Sequence, residues 1–312
     1  MEWWMTTWDG ARWLLPEPTA WRLDYGLGEP CDRFWVRAPW EAGQEQLLAD
    51  GTRMEVRDDG GAVVFRGVLD ETACTWSAGG RTVELSGRGM QALLLDNEAE
   101  AADHGRATWE TILRGYVRPY GIAAAAGTVP PAVDGFSVPS GRSCWGVVVD
   151  FCRYHGGTVP WFDRGGTLRL GLPDGAAVVL DEDAPVTELV LRQKRYGVLS
   201  QVVVKDVAGR TRQVVRDEDR VRRGFCAGRV LLLPRKTGHQ ARRYRAQYQL
   251  ARSGEALRTV EVTLPLGFAA WPGELVQLTR AGAGFNGRYR VAESCVRLDG
   301  NGLTTRLTLQ TA

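Results

Sequence analysis

One β pattern occurs twice in this chain, and that recurrence narrows the folds open to it. Gly51 to Gly87 reads GTRMEVRDDGGAVVFRGVLDETACTWSAGGRTVELSG, and Gly273 to Gln310 reads GELVQLTRAGAGFNGRYRVAESCVRLDGNGLTTRLTLQ. Each copy opens on a Gly followed by an alternating strand, with Met54 and Val56 in the first, and Leu275, Gln277 and Thr279 set against Val276 and Leu278 in the second. A Gly-rich turn follows, then a strand that runs into an acidic residue and a Cys: Val68, Glu71 and Cys74, against Val291, Glu293 and Cys295. A second Gly turn leads to a strand of period two, carrying Val83 and Leu85 in one copy and Leu303, Thr305, Leu307 and Leu309 in the other. Alternation of this kind marks strands with one buried face. A duplicated unit also poses a question of purpose: what needs two equivalent barrels?

At 312 residues the chain can hold two or three domains, each with its own core. A net charge of +2 excludes a strongly polyionic protein, so composition names no partner. The six Cys lie scattered at 31, 74, 144, 152, 226 and 295 without a CxxC, which fits free thiols in a reducing compartment. His104, His155 and His239 show no metal-ligand spacing, and neither a metal nor a cofactor is expected. Met1 to Gly10 has no basic start or continuous apolar run, and no window approaches the roughly 20 apolar residues of a spanning helix. The expectation is a soluble protein, made in the cytoplasm, with no membrane insertion.

Read in order, residues 1–18 resemble an aromatic arm stopped at Pro16-Glu17-Pro18. Trp21, Leu23 and Tyr25, then Phe34, Val36 and Ala38, form a hairpin; with the first repeat they supply enough strands for a small barrel over 1–100. Over 101–185 the period changes to 3.6. Trp109, Ile112, Leu113, Tyr116, Val117 and Tyr120 follow Thr108, an N-cap, and a second helix from about Ser143 carries Trp145, Val148, Val149 and Cys152. Ala123 to Ser140, small and Pro-rich, reads as a loop, and Asp163 to Gly166 as a hairpin turn. Residues 186–312 return to strands, crossed by a helix over about 239–253 with Ala241, Tyr244, Tyr248 and Ala251 on its inner face. The expected fold is mainly β with an α/β insert (α+β): two similar small β-barrel domains, 1–100 and 186–312, flanking an α/β domain at 101–185.

Four groups of residues invite a chemical reading. Gly87-Arg88-Gly89-Met90-Gln91-Ala92 matches GxGxxA after a strand, but a dinucleotide site also needs a buried parallel strand ending in an acid, and Glu98 to Gly105 offers none. Cys152 and His155 sit at i, i+3 with Asp150 nearby; Asp150 would point away from a Cys152 facing the core, so a buried structural Cys is the better reading. Asp70-Glu71 occupy adjacent strand positions on opposite faces, and Asp181-Glu182-Asp183 precede Pro185 in a loop, so neither forms a convergent glycosidase pair.

Charge and tryptophan speak more clearly. From Arg192 to Arg252, Arg210, Arg212, Arg216, Arg220, Arg222, Arg223, Arg229, Arg235, Lys236, Arg242, Arg243 and Arg245 stand against Asp206, Asp217, Glu218 and Asp219, leaving the rest of the chain acidic on balance. Such polarity fits nucleic-acid contact or electrostatic registry between subunits, and without interleaved stacking aromatics registry is favoured. Seven of twelve Trp lie in the first forty residues: Trp3, Trp4, Trp8, Trp13, Trp21, Trp35 and Trp40. They either fill strand ends or mark a docking surface.

Several stretches carry a family resemblance. Tyr25-Gly26-Leu27-Gly28-Glu29-Pro30-Cys31-Asp32-Arg33-Phe34, Gly67 to Glu71, Glu84 to Gly89 and Leu93 to Asp96 belong to the first half. Tyr196-Gly197-Val198, Leu250 to Ser253, Trp271 to Val276, Gly287 to Val291 and Thr304 to Leu309 extend it through the second. Together they resemble the tail hub proteins of contractile-tailed phages, the late-control-protein-D and Mu-type group, with relatives in PBSX-like defective prophages and phage-tail-like bacteriocins. The resemblance implies a homotrimer whose two barrels per subunit form a six-part ring between a sixfold tail tube and a threefold spike. Its implied partners are the tube or a tube-initiator protein, the central spike and other baseplate proteins, with DNA only passing through. It implies assembly into a tail or tail-like particle after synthesis in the host bacterial cytoplasm.

The product would then be geometry rather than a reaction, and with the chain ending on its second barrel no hydrolase activity is expected. A peptidoglycan-acting hydrolase of the tail tip and a nucleic-acid-binding barrel are the alternative readings. Subunit or neighbour contacts are expected at Trp3, Trp4, Trp8, Arg220, Arg222 and Arg223.

Overall fold

The computed structural model describes residues 1–312 except 28–30, 126, 128, 155–157, 174, 207–211, 234–238, 256, 283 and 312. The chain begins with β1 (Glu2–Thr7), β2 (Arg12–Leu14), β3 (Ala20–Gly26) and β4 (Arg33–Pro39). A short helix α1 (Glu45–Ala49) leads to β5 (Gly51–Arg57), β6 (Val63–Ser77) and β7 (Gly80–Gly89). These strands pair antiparallel in the order β2-β1-β5-β6-β7-β4-β3. Their alternate residues Trp3, Met5, Leu23, Val36, Met54, Val56, Val83 and Leu85 are fully buried in one core.

The expected barrel is here an open, curled sheet. β1 and β3 share that core without pairing to each other among the described residues: Trp3 reaches Trp21 with ring centroids 6.0 Å apart and Phe34 at 6.3 Å. Large aromatic rings fill the opening that backbone hydrogen bonds would close in a barrel. The aromatic arm is corrected too. Trp3 pairs with Val56 and Trp4 with Leu14, so residues 2–14 are sheet strands turning at Gly10 (φ +89°). Aromatic side chains on both faces of β1 hide the alternation that would have identified it.

The middle of the chain contributes α2 (Ala92–Leu95), β8 (Ala102–Ala107), α3 (Trp109–Tyr116), a 3-10 turn at Arg118–Tyr120, β9 (Val133–Val138), α4 (Cys144–Tyr154), β10 (Pro160–Phe162) and β11 (Leu168–Leu170). They enclose a separate core that includes Ile112, Val117, Val148, Phe151, Cys152 and Leu168. Thr108 is the N-cap expected: its Oγ1 accepts from the Thr111 N–H at 3.1 Å, and the Thr108 N–H donates to Thr111 Oγ1 at 3.3 Å. β8 and β9 pair antiparallel, so a strand occupies part of the stretch read as a loop, with Val133, Phe136 and Val138 turned inward.

The remaining elements are β12 (Val178–Leu180), β13 (Glu188–Gln193), β14 (Leu199–Asp206), β15 (Arg212–Arg216), α5 (Glu218–Arg222), β16 (Ala227–Leu233), α6 (His239–Glu255), β17 (Arg258–Leu264), β18 (Leu275–Leu278), β19 (Gly287–Asp299) and β20 (Gly302–Thr311). Order β13-β17-β20-β19-β18-β12 forms a second curled sheet over Val260, Val262, Val276, Leu278, Val291, Leu307 and Leu309. Within this part, β15-β14-β16 is a small sheet of its own, with α6 packed on one face through Ala246 and Leu250 against Leu199, Val202 and Val204. The inner face of α6 therefore differs from the expected one: Tyr244 and Ala251 are exposed, and a narrow i, i+4 pair makes the contact. Ala241 falls where side chains are left undescribed.

The repeat is real in three dimensions. β5-β6-β7 and β18-β19-β20 are both short strand, long bent strand, long strand, and each long strand slips register near its middle, at Leu69/Glu71 and at Val291/Glu293. A bulge bends a strand and raises its twist, which lets each sheet wrap its core. The two Cys are not equivalent, however. Counted from the bulge, Cys74 is one residue further on; it packs on the first core, whereas Cys295 lies on the outer face beside Arg22 and Asp24. Finally β19 pairs with β3 from Glu293↔Gly26 to Leu298↔Trp21, which joins both curled sheets into one of thirteen strands.

Two local devices hold the bulge region. A Cβ on Gly87 would sit 2.0 Å from the Val68 carbonyl oxygen, and one on Gly67 would sit 2.1 Å from that of Arg88, so the β6 and β7 backbones touch where only hydrogen fits. Asp32 ties the β3–β4 connection down: its Oδ1 accepts from the Gly26 N–H at 3.1 Å, and its carbonyl accepts from the Gly89 N–H at 2.8 Å. Desolvation pushes the Asp32 carboxyl up to about 7, against the opposing pull of the Gly26 N–H. Gly87→Ala is expected to lower unfolding stability by about 2 kcal/mol or more in urea titrations, because neither carbonyl can move without breaking the ladder. Asp32 holds its proton more tightly folded than unfolded, so its contribution is present in acid and is lost as pH rises from about 4 towards 7. Asp32→Asn should therefore raise the thermal midpoint over the parent at pH 8, with the difference closing near pH 4.

Candidate functional site

The residues with chemical potential are engaged in structure. Cys152 is fully buried and its thiol is pushed up to about 12 by desolvation, the opposite of an activated nucleophile; His155 lies outside the described residues. Asp150 pairs with Arg142 at 2.7 Å. Asp70, at the β6 bulge, forms a double hydrogen bond with Arg88, which also holds Asp96. Asp181 accepts from the Asp183 N–H at 3.1 Å, and Arg280 donates to the carbonyls of Asp181 and Ala184 at 2.8 and 3.3 Å, pinning that loop to the β18–β19 turn. His104 bonds the Tyr116 hydroxyl at 2.9 Å and stacks on Phe136. Among the described residues no group of three His, Cys, Asp or Glu could hold a metal ion.

The GxGxxA stretch is accounted for by packing. Gly87 admits the β6 backbone, Gly89 pairs with Gly67, and α2 is four residues long, followed by β8, which pairs antiparallel with β9 rather than as a parallel strand. A cleft of about 160 Å³ lies where the first sheet, the middle unit and the approach to β18 meet, bounded by Tyr25, Asp32, Trp161, Arg164 and Trp271. Its walls are spent on contacts with each other. Arg164 lies 4.7 Å over the Trp271 ring, Tyr25 meets the same ring edge-on at 5.1 Å, and the Tyr25 hydroxyl donates to the Val64 carbonyl at 2.7 Å. The cleft is a seam between units.

What the molecule offers outward is surface. Of the expected contact residues, Trp3 is wholly buried and serves the core. Trp4 is half-buried, bonded to Glu2 and covered by Arg12 at 4.8 Å. Trp8 is 73% exposed on the β1–β2 turn. Arg220 is an internal clamp, donating to the carbonyls of Leu199 (2.9 Å) and Leu250 (2.7 Å) and to Ser253 Oγ (3.2 Å). Arg222 and Arg223 are exposed, Arg222 paired with its neighbour Asp219.

Sequence reasoning passed over two features. Trp76, 60% exposed near the β6–β7 turn, meets Trp40 edge-on at 5.0 Å. β1, β4, β6 and β19 all run in one direction through the antiparallel sheet, so Trp8, Trp40, Trp76 and the turn after Asp299 all lie towards one end of it. The second feature is the face of β15-β14-β16 turned away from α6, where Val214, Val230 and Leu232 are 37%, 56% and 67% exposed. The continuous runs Val202-Val203-Val204 and Val230-Leu231-Leu232-Leu233 were the available signal.

No protein-family model matches the chain, and no curated protein matches it. Solved structures do. It is similar to a tail protein from Neisseria meningitidis, with TM-score 0.81 and 19% identity over 99% of this chain and 96% of that one. It is similar to a 43 kDa tail protein of prophage MuSo2 from Shewanella oneidensis, with TM-score 0.79 and 17% identity over 99% and 98%. A component of the Escherichia coli type VI secretion system, described as similar to the bacteriophage T4 tail proteins gp27 and gp5, matches with TM-score 0.60 and 11% identity over 95% and 74%. The chain has, over nearly its whole length, the β-rich α+β fold of phage tail proteins.

Proposed function

We propose that this chain is the structural hub of a phage tail or phage-tail-like injection particle, acting by assembly rather than by catalysis. Three copies close into a ring in which each contributes two equivalent sheet units, so that six similar faces meet a sixfold tail tube while the threefold axis receives the central spike. One observation carries this reading: β5-β6-β7 recurs as β18-β19-β20, with a register slip at the same place in each long strand, inside a fold shared with phage tail proteins. The similarity to a type VI secretion component compared with gp27 and gp5 supports the same direction.

In this account 1–100 and 186–312 are the two ring-forming parts and 101–185 an insert on the periphery, except that β12 joins the second sheet and α2 packs into the core of the insert. The tube or a tube initiator, the spike and other baseplate proteins are its partners, and DNA passes through without being held. The protein is made in the host cytoplasm and works in the assembled baseplate; among the described residues no helix is long and apolar enough to cross a membrane. Trp4, Trp8, Arg222 and Arg223 contact neighbours, joined by Trp76 at the same sheet end as Trp8. Light scattering of the purified chain across a concentration series should give three times the 34.4 kDa subunit mass. A monomer at every concentration, both alone and mixed with its spike partner, would sink the ring.

A further inference from the structure

The β15-β14-β16 sheet has one face covered by α6 and an opposite face on which Val214, Val230 and Leu232 are exposed. β14 and β16 run parallel beside an antiparallel β15, and sheets of parallel strands that read as unbroken apolar runs have both faces covered. Both strands have such runs, and in the single chain Val230 and Leu232 of β16 face solvent around Val203 of β14, which its neighbours leave 9% exposed. Register defines the bare face. Val202 and Val204 turn to α6, so Gln201, Val203 and Lys205 turn the other way. Opposite them stand Arg216, Val214 and Arg212 on β15, and Gly228, Val230 and Leu232 on β16. The centre is therefore an apolar row, Val214-Val203-Val230, continued by Leu232. Among the described residues its polar positions hold Gln201 and three cations, Lys205, Arg212 and Arg216, and no carboxylate.

We infer that this face is a subunit-subunit contact and that its occupant is a second copy of the same chain, joined head to tail. The inference rests on the ring proposed above and names the surface that closes it. Charge identifies the occupant. Residues 192–252 hold 17 Lys and Arg against 4 Asp and Glu, a net +13; with 39 and 37 in the whole chain, the remainder holds 22 against 33, a net −11. A face with three cations and no anion cannot meet its own image across a twofold axis without opposing six like charges. It can meet the acidic remainder of the next copy, and a contact between unlike patches that repeats by rotation closes a ring. Nucleic acid is the less suited occupant, since the row carries no aromatic side chain on which a base could stack.

The test compares Val230→Asp and Leu232→Asp with the parent chain and with Val129→Ser, a change at a 55% exposed residue of the insert, each checked for unchanged far-UV circular dichroism. Equilibrium sedimentation should show the trimer's dissociation constant rising at least 100-fold for both Asp variants, and by less than threefold for Val129→Ser. Hydrogen exchange on the parent chain gives an answer without any variant: amides of 212–216 and 227–233 should exchange at least tenfold more slowly at trimeric concentrations than after dilution to monomer. A parent trimer unaffected by either Asp change, with no added protection in those segments, overturns this surface while leaving the ring intact. A parent that is monomeric with and without its spike overturns both. Binding of a 30-residue oligothymidylate by the parent, lost in Val230→Asp with the mass unchanged, would assign the face to nucleic acid instead.

Discussion

Backbone pairing between β3 and β19 is the contact on which the remainder depends. The first and last parts of the chain are far apart in sequence, yet six consecutive residues of β19 pair with β3 and turn two curled sheets into one. Side chains reinforce the weld. Val296 of β19 belongs to the first core, Phe268 stacks on Trp21 with centroids 6.4 Å apart, and Trp271 meets Tyr25. Closing so long a loop costs entropy that grows only slowly with length, whereas each added ladder pair and buried ring returns a fixed gain. The two repeats are thereby held in a fixed relation, which two domains on a flexible linker would not have.

This rigidity connects the fold to the proposed role. A symmetry adaptor must hold two similar faces at a constant angle, since three loosely hinged pairs could not present six equivalent contacts to a tube. The aromatic seam at Tyr25, Trp161 and Trp271 fixes the middle unit against the same weld. The groups that resemble catalytic machinery in the sequence are occupied in building these joints: Asp70 with Arg88, Arg280 with the Asp181 loop, Cys152 in a closed core.

Local signals in the sequence were legible where they were sufficient. The duplicated unit showed in its Gly turns and alternation, and Thr108 with the 3.6 period placed α3. The β1–β2 pair is hidden because Trp4 puts an aromatic side chain on the outward face, next to the inward Trp3, and blurs the period. β9 escaped notice behind Pro130 and Pro131. Whether a sheet closes is decided by pairing between residues distant in sequence; no pattern within β1 or β3 shows that Trp3 will fill a gap instead of backbone bonds closing it. Two large Tyr give α6 the look of a wide apolar stripe, whereas among the described residues Ala246 and Leu250 make its contact with the surface of β14. Exposed contacts were hardest to find. Nothing in the residue type separates Arg220, which clamps three elements internally, from Arg223 three residues later, which is exposed.

The most direct test is electron cryomicroscopy of the purified assembly viewed down its axis. The account predicts three subunits whose β5-β6-β7 and β18-β19-β20 units alternate around the ring, giving threefold density that approaches sixfold at low resolution. A threefold particle in which the two units lie at clearly different radii, or an assembly with any other rotational order, would contradict it.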